Sequence, residues 1–184
     1  MTIQTTVPAH RTTGFSRVSI ALHWLMLILL AAVYACIELR ELYPRGSDIR
    51  EGLKTWHFML GLSVFVLIWI RLAARWRTPF LSPTPGWTRW PAALTHLALY
   101  GLMIAMPLLG WLTLSAKGDA IPFFGLALPP LTAPNEGLAE RVQTLHQTLG
   151  GAGYWLIGLH ALAAVFHHHV LKDGTLRRML PMLR

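Results

Sequence analysis

Four long apolar runs limit what this chain can fold into more than any other feature. They cover approximately residues 18–37, 55–74, 91–116 and 145–171, and no carboxylate lies within them. A helix needs about 20 apolar residues to cross about 30 Å of hydrocarbon, where unpaired peptide groups find no partner, so each run predicts a transmembrane helix. The predicted fold is an all-α membrane protein, a four-helix transmembrane bundle in a single domain over residues 1–184.

The composition agrees with this fold class. Charged residues make up 13% of the chain, about half the share in globular proteins. The net charge of +8 lies between apolar runs and not on one wet face, so we exclude nucleic acid as a partner and expect membrane lipid. Cys36 is the only cysteine, which excludes iron–sulfur clusters and Cys-ligated zinc, so any metal chemistry must rest on histidine.

The basic residues are distributed unevenly between the two sides of the predicted bundle. The termini and the second connection carry ten Arg and Lys residues with one acid, whereas the other two connections carry six bases and seven acids. Arg and Lys are enriched in cytoplasmic connections, so we expect a multi-pass protein of the bacterial inner membrane with both termini cytoplasmic. The first run could instead be a cleaved signal peptide, but its length, its histidine and its lack of a clean cleavage site argue against this.

Two of the connections between the apolar runs have a composition that predicts their conformation. Four prolines between residues 75 and 91 predict a short extended linker, because proline prevents a helix from continuing. Residues 121–130, IPFFGLALPP, are too few to span the membrane and too apolar for a free loop. We expect this segment to form an interfacial flap over the outer end of the bundle.

Pro107 is expected to kink the third helix without ending it, because the apolar run continues beyond it.

Histidines at membrane depth are the main functional signal. Polar groups in hydrocarbon are costly and persist mainly where they have a function. His146 and His160 are fourteen residues apart, about 21 Å along a helix and about 40° around it, so one helix presents two imidazoles at two levels. Helix direction places His57 at the outer level and His23 at the inner level.

Two inward-facing histidines at one level suit the axial positions of a haem iron. We therefore predict that His57 with His146, and His23 with His160, hold two haems stacked across the bilayer. A histidine-lined metal transporter is the competing interpretation, although it would usually add intramembrane carboxylates. For a single histidine, a hydrogen bond to a neighbouring helix remains an alternative, and His96 remains an alternative partner for His23.

Three consecutive histidines, 167–169, close the fourth run. His167 lies about −20° from the face of His160 and points into the bundle below the inner level, or else contacts lipid headgroups. For His168 and His169 the residue pattern favours the headgroup position.

Several segments together resemble one known family. They are SIALHWL at 19–25, ELRELYPR at 38–45, the histidine of TWHFMLG, HLALYGLMIAMPLLG at 96–110 and GYWLIGLHALAAVFHHHVLKDGTLRRMLP at 153–181. The chain resembles the bacterial cytochrome b561 family, and within it most closely the superoxide oxidase branch. The resemblance implies four transmembrane helices, two b-type haems with bis-histidine ligation, and electron transfer across the membrane to quinone.

Matching positions imply His23, His57, His146 and His160 as the iron ligands. The superoxide oxidase branch implies oxidation of superoxide to oxygen at the periplasmic side and reduction of ubiquinone at the cytoplasmic side. The quinone-side catalytic position matches His167, with His168 as a second candidate, whereas His169 departs from the family pattern. We predict no obligatory protein partner; the alternative is a cytochrome b subunit that passes electrons between a dehydrogenase or hydrogenase and quinone.

Basic residues of the two outer connections are candidates for attracting superoxide locally. They are Arg40, Arg45, Lys54, Lys117 and Arg141.

Overall fold

The computed structural model describes residues 16–76 and 86–180. It contains four helices long and apolar enough to cross a membrane. They are α1 (Arg17–Leu39), α2 (Asp48–Trp76), α3 (Gly86–Lys117) and α4 (Glu136–His169). A 3-10 turn (Arg40–Leu42) follows α1, and a short helix, α5 (Thr175–Met179), follows α4. The predicted four-helix membrane architecture is confirmed.

The bundle has two ends that carry different chain segments. The hairpin end contains the α1–α2 and α3–α4 connections, and the terminal end contains the start of α1, the end of α2, the start of α3 and α5. Helix α1 packs on α2, α2 on α3, and α3 on α4. The order of the helices around the bundle therefore follows their order in the chain.

The helices extend beyond the apolar runs at the hairpin end. Helix α2 begins at residue 48 and not 55, and α4 begins at 136 and not 145. The Asn135 side chain caps α4 by accepting a 2.9 Å hydrogen bond from the Leu138 amide. Asp48 and Glu51 lie in the first turn of α2, where negative charge favours a helix N-terminus. Hydropathy marks the hydrocarbon-spanning part of a helix, whereas these polar first turns lie outside it.

The predicted linker over 75–91 is wrong at both ends. Helix α2 continues to Trp76 and α3 begins at Gly86, with Pro91 inside it. Only about one turn of α3 precedes Pro91, so its missing amide removes a single hydrogen bond near an exposed helix end. The prolines at 79, 83 and 85 lie outside the described residues. Helix α3 also continues through Pro107, as predicted.

The predicted flap contains a small β-hairpin that hydropathy alone did not indicate. Strand β1 (Ile121–Phe123) pairs antiparallel with β2 (Leu126–Leu128). The two turn residues, Phe124 and Gly125, have φ values of 45° and 86°, as a two-residue type I′ turn requires. Ile121 packs against apolar side chains of α2 and α3, so the segment covers the hairpin end and does not span.

The main apolar core lies among α1, α2 and α3. Its buried members are Met26, Val64, Leu67, Ile68 and Met103, and the side chains packed around them also come from these three helices. In the described part of the chain, α4 contributes nothing to this cluster. Helix α4 meets α1 through long side chains and not through close backbone packing.

Candidate haem sites

The hairpin end brings together His57 of α2 and His146 of α4. Their ring centroids lie 6.1 Å apart. His57 Nδ1 lies 3.0 Å from the carbonyl oxygen of Val33 on α1 and donates to it, which leaves Nε2 free. His146 Nδ1 is buried without a hydrogen-bond partner. Its ring faces Gly110 of α3, where a Cβ atom would lie 3.5 Å from the imidazole. We call His57 and His146 the hairpin-end pair.

The terminal end brings together three histidines. His23 of α1 and His160 of α4 have ring centroids 6.3 Å apart, and we call them the terminal-end pair. His96 of α3 lies on the other side of His160, at a centroid distance of 5.4 Å. His96 Nδ1 lies 2.7 Å from the Ala92 carbonyl oxygen of its own helix. The five intramembrane histidines therefore occupy two levels, as their depths predicted.

Both pairs have the spacing that two axial ligands of one metal require. An imidazole nitrogen binds a metal at about 2.0–2.1 Å and the ring centroid lies about 1.1 Å behind it, so two axial imidazoles on one metal have centroids about 6.3 Å apart. The separations of 6.1 Å and 6.3 Å match this value, whereas the 5.4 Å between His96 and His160 is shorter. The spacing of the two pairs fits two haem groups.

An arginine of α2 contacts the terminal-end pair. Arg71 of α2 donates a 2.9 Å hydrogen bond from its guanidinium to His23 Nδ1. The same guanidinium lies over the Tyr100 ring of α3, 5.9 Å from its centroid. The sequence reasoning counted Arg71 only among the basic residues of a connection, although it lies inside the second apolar run. An arginine in such a run is itself a signal of function.

The C-terminal segment places a carboxylate on His167. Asp173 Oδ2 lies 2.6 Å from His167 Nδ1, and the side chains are 9% and 16% exposed. The segment is held against α1 by a 2.9 Å hydrogen bond from Trp24 Nε1 to the Met179 carbonyl oxygen. His168 and His169 contact each other at 4.7 Å and make no such ion pair among the described residues. His167 is therefore the oriented member of the three, and Asp173 is a partner that the sequence reasoning missed.

The basic residues of the hairpin end are mostly engaged in local contacts. Lys54 lies 3.8 Å from Glu51, Lys117 donates to Gln143 at 2.6 Å, and Arg141 donates to the Gly137 carbonyl at 3.0 Å. Arg40 Nε lies 3.5 Å from Glu41 Oε1, an ion pair without a hydrogen bond at the buried Nε. Its guanidinium lies near enough to His57 for its charge to act on that ring.

Arg50 was counted only as a base and is structural. It is buried and binds the Arg40 and Tyr43 carbonyl oxygens, each at 2.9 Å, and both oxygens of Glu41. These four bonds hold the turn between α1 and α2. Arg50 therefore fixes the position of Arg40 beside the hairpin-end pair.

A membrane bundle with histidine pairs on facing helices defines the class of membrane-bound b-type cytochromes. The family model described as prokaryotic cytochrome b561 matches residues 14–182. The chain belongs to the prokaryotic cytochrome b561 family, whose members bind haem b and transfer electrons. This membership favours the haem interpretation over the metal-transport alternative.

Curated relatives cover nearly the whole chain. This chain is 37% identical over 170 residues to cytochrome b561 homolog 1 of Escherichia coli, and the match covers 91% of this chain and 97% of the relative. It is 38% identical over 177 residues to a probable superoxide oxidase CybB of Yersinia pestis, covering 92% and 97%. It is 32% identical over 176 residues to cytochrome b562 of Cereibacter sphaeroides, covering 91% and 95%.

Proposed function

We propose that this protein is a di-haem superoxide:quinone oxidoreductase of the bacterial inner membrane. The observation that carries the proposal is the pair of two-histidine sites, one at each end of the bundle, spaced as two axial ligands of one iron. The excess of basic residues in the termini and the second connection supports a cytoplasmic position for the terminal end and a periplasmic one for the hairpin end.

His57 and His146 hold the periplasmic haem, and His23 and His160 hold the cytoplasmic haem. The haems supply one-electron redox chemistry when bound. The chain itself sets the distance between the two histidine sites, because His146 and His160 lie on one continuous helix about 21 Å apart. The hydrogen bond from His57 Nδ1 to the Val33 carbonyl oxygen orients that ligand, as is usual for a metal-bound imidazole.

Superoxide is the proposed donor at the hairpin end. Each superoxide loses one electron and leaves as oxygen, so two of them supply the two electrons that quinone needs. Superoxide is an anion, and Arg40, whose charge acts on His57, is the proposed cation for its attraction. The relative named as a probable superoxide oxidase, 38% identical, supports the choice of substrate.

Ubiquinone is the proposed acceptor at the terminal end. Its reduction to quinol takes two electrons and two protons, and His167 lies seven residues beyond His160 on the same helix, about 10 Å toward the cytoplasm. Asp173 holds the His167 ring through Nδ1, so Nε2 is left to exchange a proton with the quinone. His168 lies beside His167 without an oriented carboxylate and is the secondary candidate.

The direct test is stopped-flow spectroscopy of the purified protein after a pulse of superoxide. We expect two non-covalently bound b haems per chain, reduction of haem faster than spontaneous dismutation, and reoxidation by ubiquinone. Haem reduction no faster than dismutation would reject superoxide as donor and favour a cytochrome b subunit that serves a dehydrogenase or hydrogenase. A ratio near one haem per chain in fully loaded protein would reject the two-site arrangement.

A further inference from the structure

Arg71 has no carboxylate partner among the residues that the structure describes, although it lies in a membrane-spanning segment. The sequence contains eight carboxylate side chains. Seven of them belong to the hairpin end, and the eighth, Asp173, binds His167. In the described part of the chain, Arg71 instead contacts His23 and the ring and hydroxyl of Tyr100. A guanidinium at membrane depth is costly unless an anion or a set of acceptors satisfies it.

The hydrogen bond between Arg71 and His23 constrains how His23 could bind a haem iron. A guanidinium can only donate hydrogen bonds, so His23 Nδ1 is the acceptor and carries no proton. An imidazole bound to a metal through Nε2 normally carries its proton on Nδ1 and donates it. His57 Nδ1 makes such a bond with the Val33 carbonyl oxygen. Two donors cannot bond each other, so haem binding at His23 requires Arg71 to turn to another acceptor.

We propose that Arg71 binds a propionate carboxylate of the terminal-end haem. The inference rests on the proposed function, in which His23 and His160 hold that haem. Arg71 lies five residues before the end of α2 and His23 six residues after the start of α1, so both lie at about the same depth. A haem brings two carboxylates to this level, and guanidinium binds carboxylate through two parallel hydrogen bonds. A quinone ring is neutral and offers no such charge.

Tyr100 is a second side chain that contacts the Arg71 guanidinium. Its ring supports the guanidinium from α3 at 5.9 Å, within the range of a cation–π contact. Arg71 is thus held between α1 and α3, on the side of α2 that faces the terminal-end histidines. His23, which Arg71 contacts, has its ring centroid 6.3 Å from that of His160. The guanidinium therefore lies within the group of side chains that surrounds the proposed haem.

The test uses redox-difference infrared spectra of the full-length haem-loaded protein, with the haem isotopically labelled at its propionate carboxyl carbons. We compare the native chain with Arg71→Leu, Arg71→Lys and the control Arg177→Leu, which removes an exposed arginine from the same end. We expect the labelled carboxylate band to shift in Arg71→Leu, to shift less in Arg71→Lys, and to stay unchanged in Arg177→Leu. Haem content per chain is measured in parallel.

An unchanged carboxylate band in Arg71→Leu with full haem content would overturn the proposal. If Arg71→Leu fails to retain haem, Arg71→Lys decides, because lysine preserves the charge but not the paired hydrogen bonds. The same spectra of His23→Ala separate this proposal from the ligand assignment. If His23→Ala keeps both haems, His23 is not a ligand, whereas a shifted band in Arg71→Leu still assigns Arg71 to a propionate.

Discussion

At the residue scale, the separations of the rings indicate that His160, and not His96, pairs with His23 at the terminal-end site. His160 contacts both His23 and His96, but only the His23–His160 separation of 6.3 Å suits two ligands of one iron. His96 Nδ1 is also engaged by the Ala92 carbonyl oxygen of its own helix. We therefore assign His96 to the surroundings of the haem and not to its iron.

Alanine substitutions test this assignment. We expect His160→Ala or His23→Ala to remove the terminal-end haem and His57→Ala or His146→Ala to remove the hairpin-end haem, because an iron that loses one of two axial imidazoles is poorly retained. His96→Ala is the matched control and should keep both haems. Haem content per chain and visible spectra of the purified variants are the measurement. Loss of haem in His96→Ala together with retention in His160→Ala would reverse the assignment.

The ion pair of His167 with Asp173 is a second feature at this scale. We expect His167→Ala to slow quinone reduction by about 10²-fold or more, within the usual contribution of a proton-transferring group. Asp173→Asn keeps the shape but weakens a bond worth about 1.5–3 kcal/mol, so we expect a loss of about tenfold. Reduction of the haems by superoxide should be unchanged in both variants. An equal loss in both half-reactions would indicate a general structural defect.

At the element scale, the contact between α1 and α4 depends on one glycine. Gly153 is buried in α4, and a Cβ atom there would overlap the Tyr34 hydroxyl of α1. That hydroxyl donates a 3.0 Å hydrogen bond to the Gly150 carbonyl oxygen, and the Tyr34 ring lies 4.3 Å from that of Tyr154. Tyr154 in turn donates to Glu38 at 2.6 Å, so one line of contacts joins the two helices near the hairpin end.

A pair of glycine substitutions isolates this contact. We expect Gly153→Ala to lower the thermal midpoint and the haem content, because overpacking of a close contact costs about 1–3 kcal/mol. Gly151→Ala is the control on the same helix, since nothing lies within 4 Å of its added methyl group. It should be neutral or stabilising, because alanine favours a helix by about 1 kcal/mol over glycine. Equal effects of the two substitutions would show that helix propensity, and not the Tyr34 contact, is responsible.

At the scale of the whole molecule, charge is separated between the two ends. In the sequence, the termini and the second connection carry ten basic residues and one acid, whereas the other two connections are close to neutral overall. Attraction of the proposed donor, superoxide, would therefore depend on local charge at the hairpin end. Arg40 is held in place there by the turn that Arg50 and Glu41 stabilise.

Ionic strength tests this local attraction. The screening length falls from about 30 Å at 0.01 M salt to about 8 Å at 0.15 M, so we expect the rate of haem reduction by superoxide to fall as salt rises. Arg40→Gln should lower the rate at low salt and flatten the salt dependence. Lys117→Gln is the control, because Lys117 is already bonded to Gln143. A fast, salt-independent rate in the native chain would remove the attraction without affecting the proposed reaction.

The sequence by itself determined the four spanning helices, the two levels of histidines and the family. These follow from properties that are local along the chain: the apolar length needed to cross hydrocarbon, and the helical repeat that relates His146 to His160 on one face. The polar first turns of α2 and α4 escaped prediction because hydropathy reports the lipid-facing part of a helix and not its capped end. Pro91 escaped because proline is tolerated within the first turns.

Only the tertiary structure decided which side chains meet. Arg71 and His23 are 48 residues apart, and their contact depends on the rotation of α2 against α1. The position of His160 between His23 and His96, the carboxylate of Asp173 on His167 and the strands of the hairpin depend in the same way on packing between elements. Depth along a helix follows from counting residues, but the angle at which two helices face each other is set by all the side chains between them.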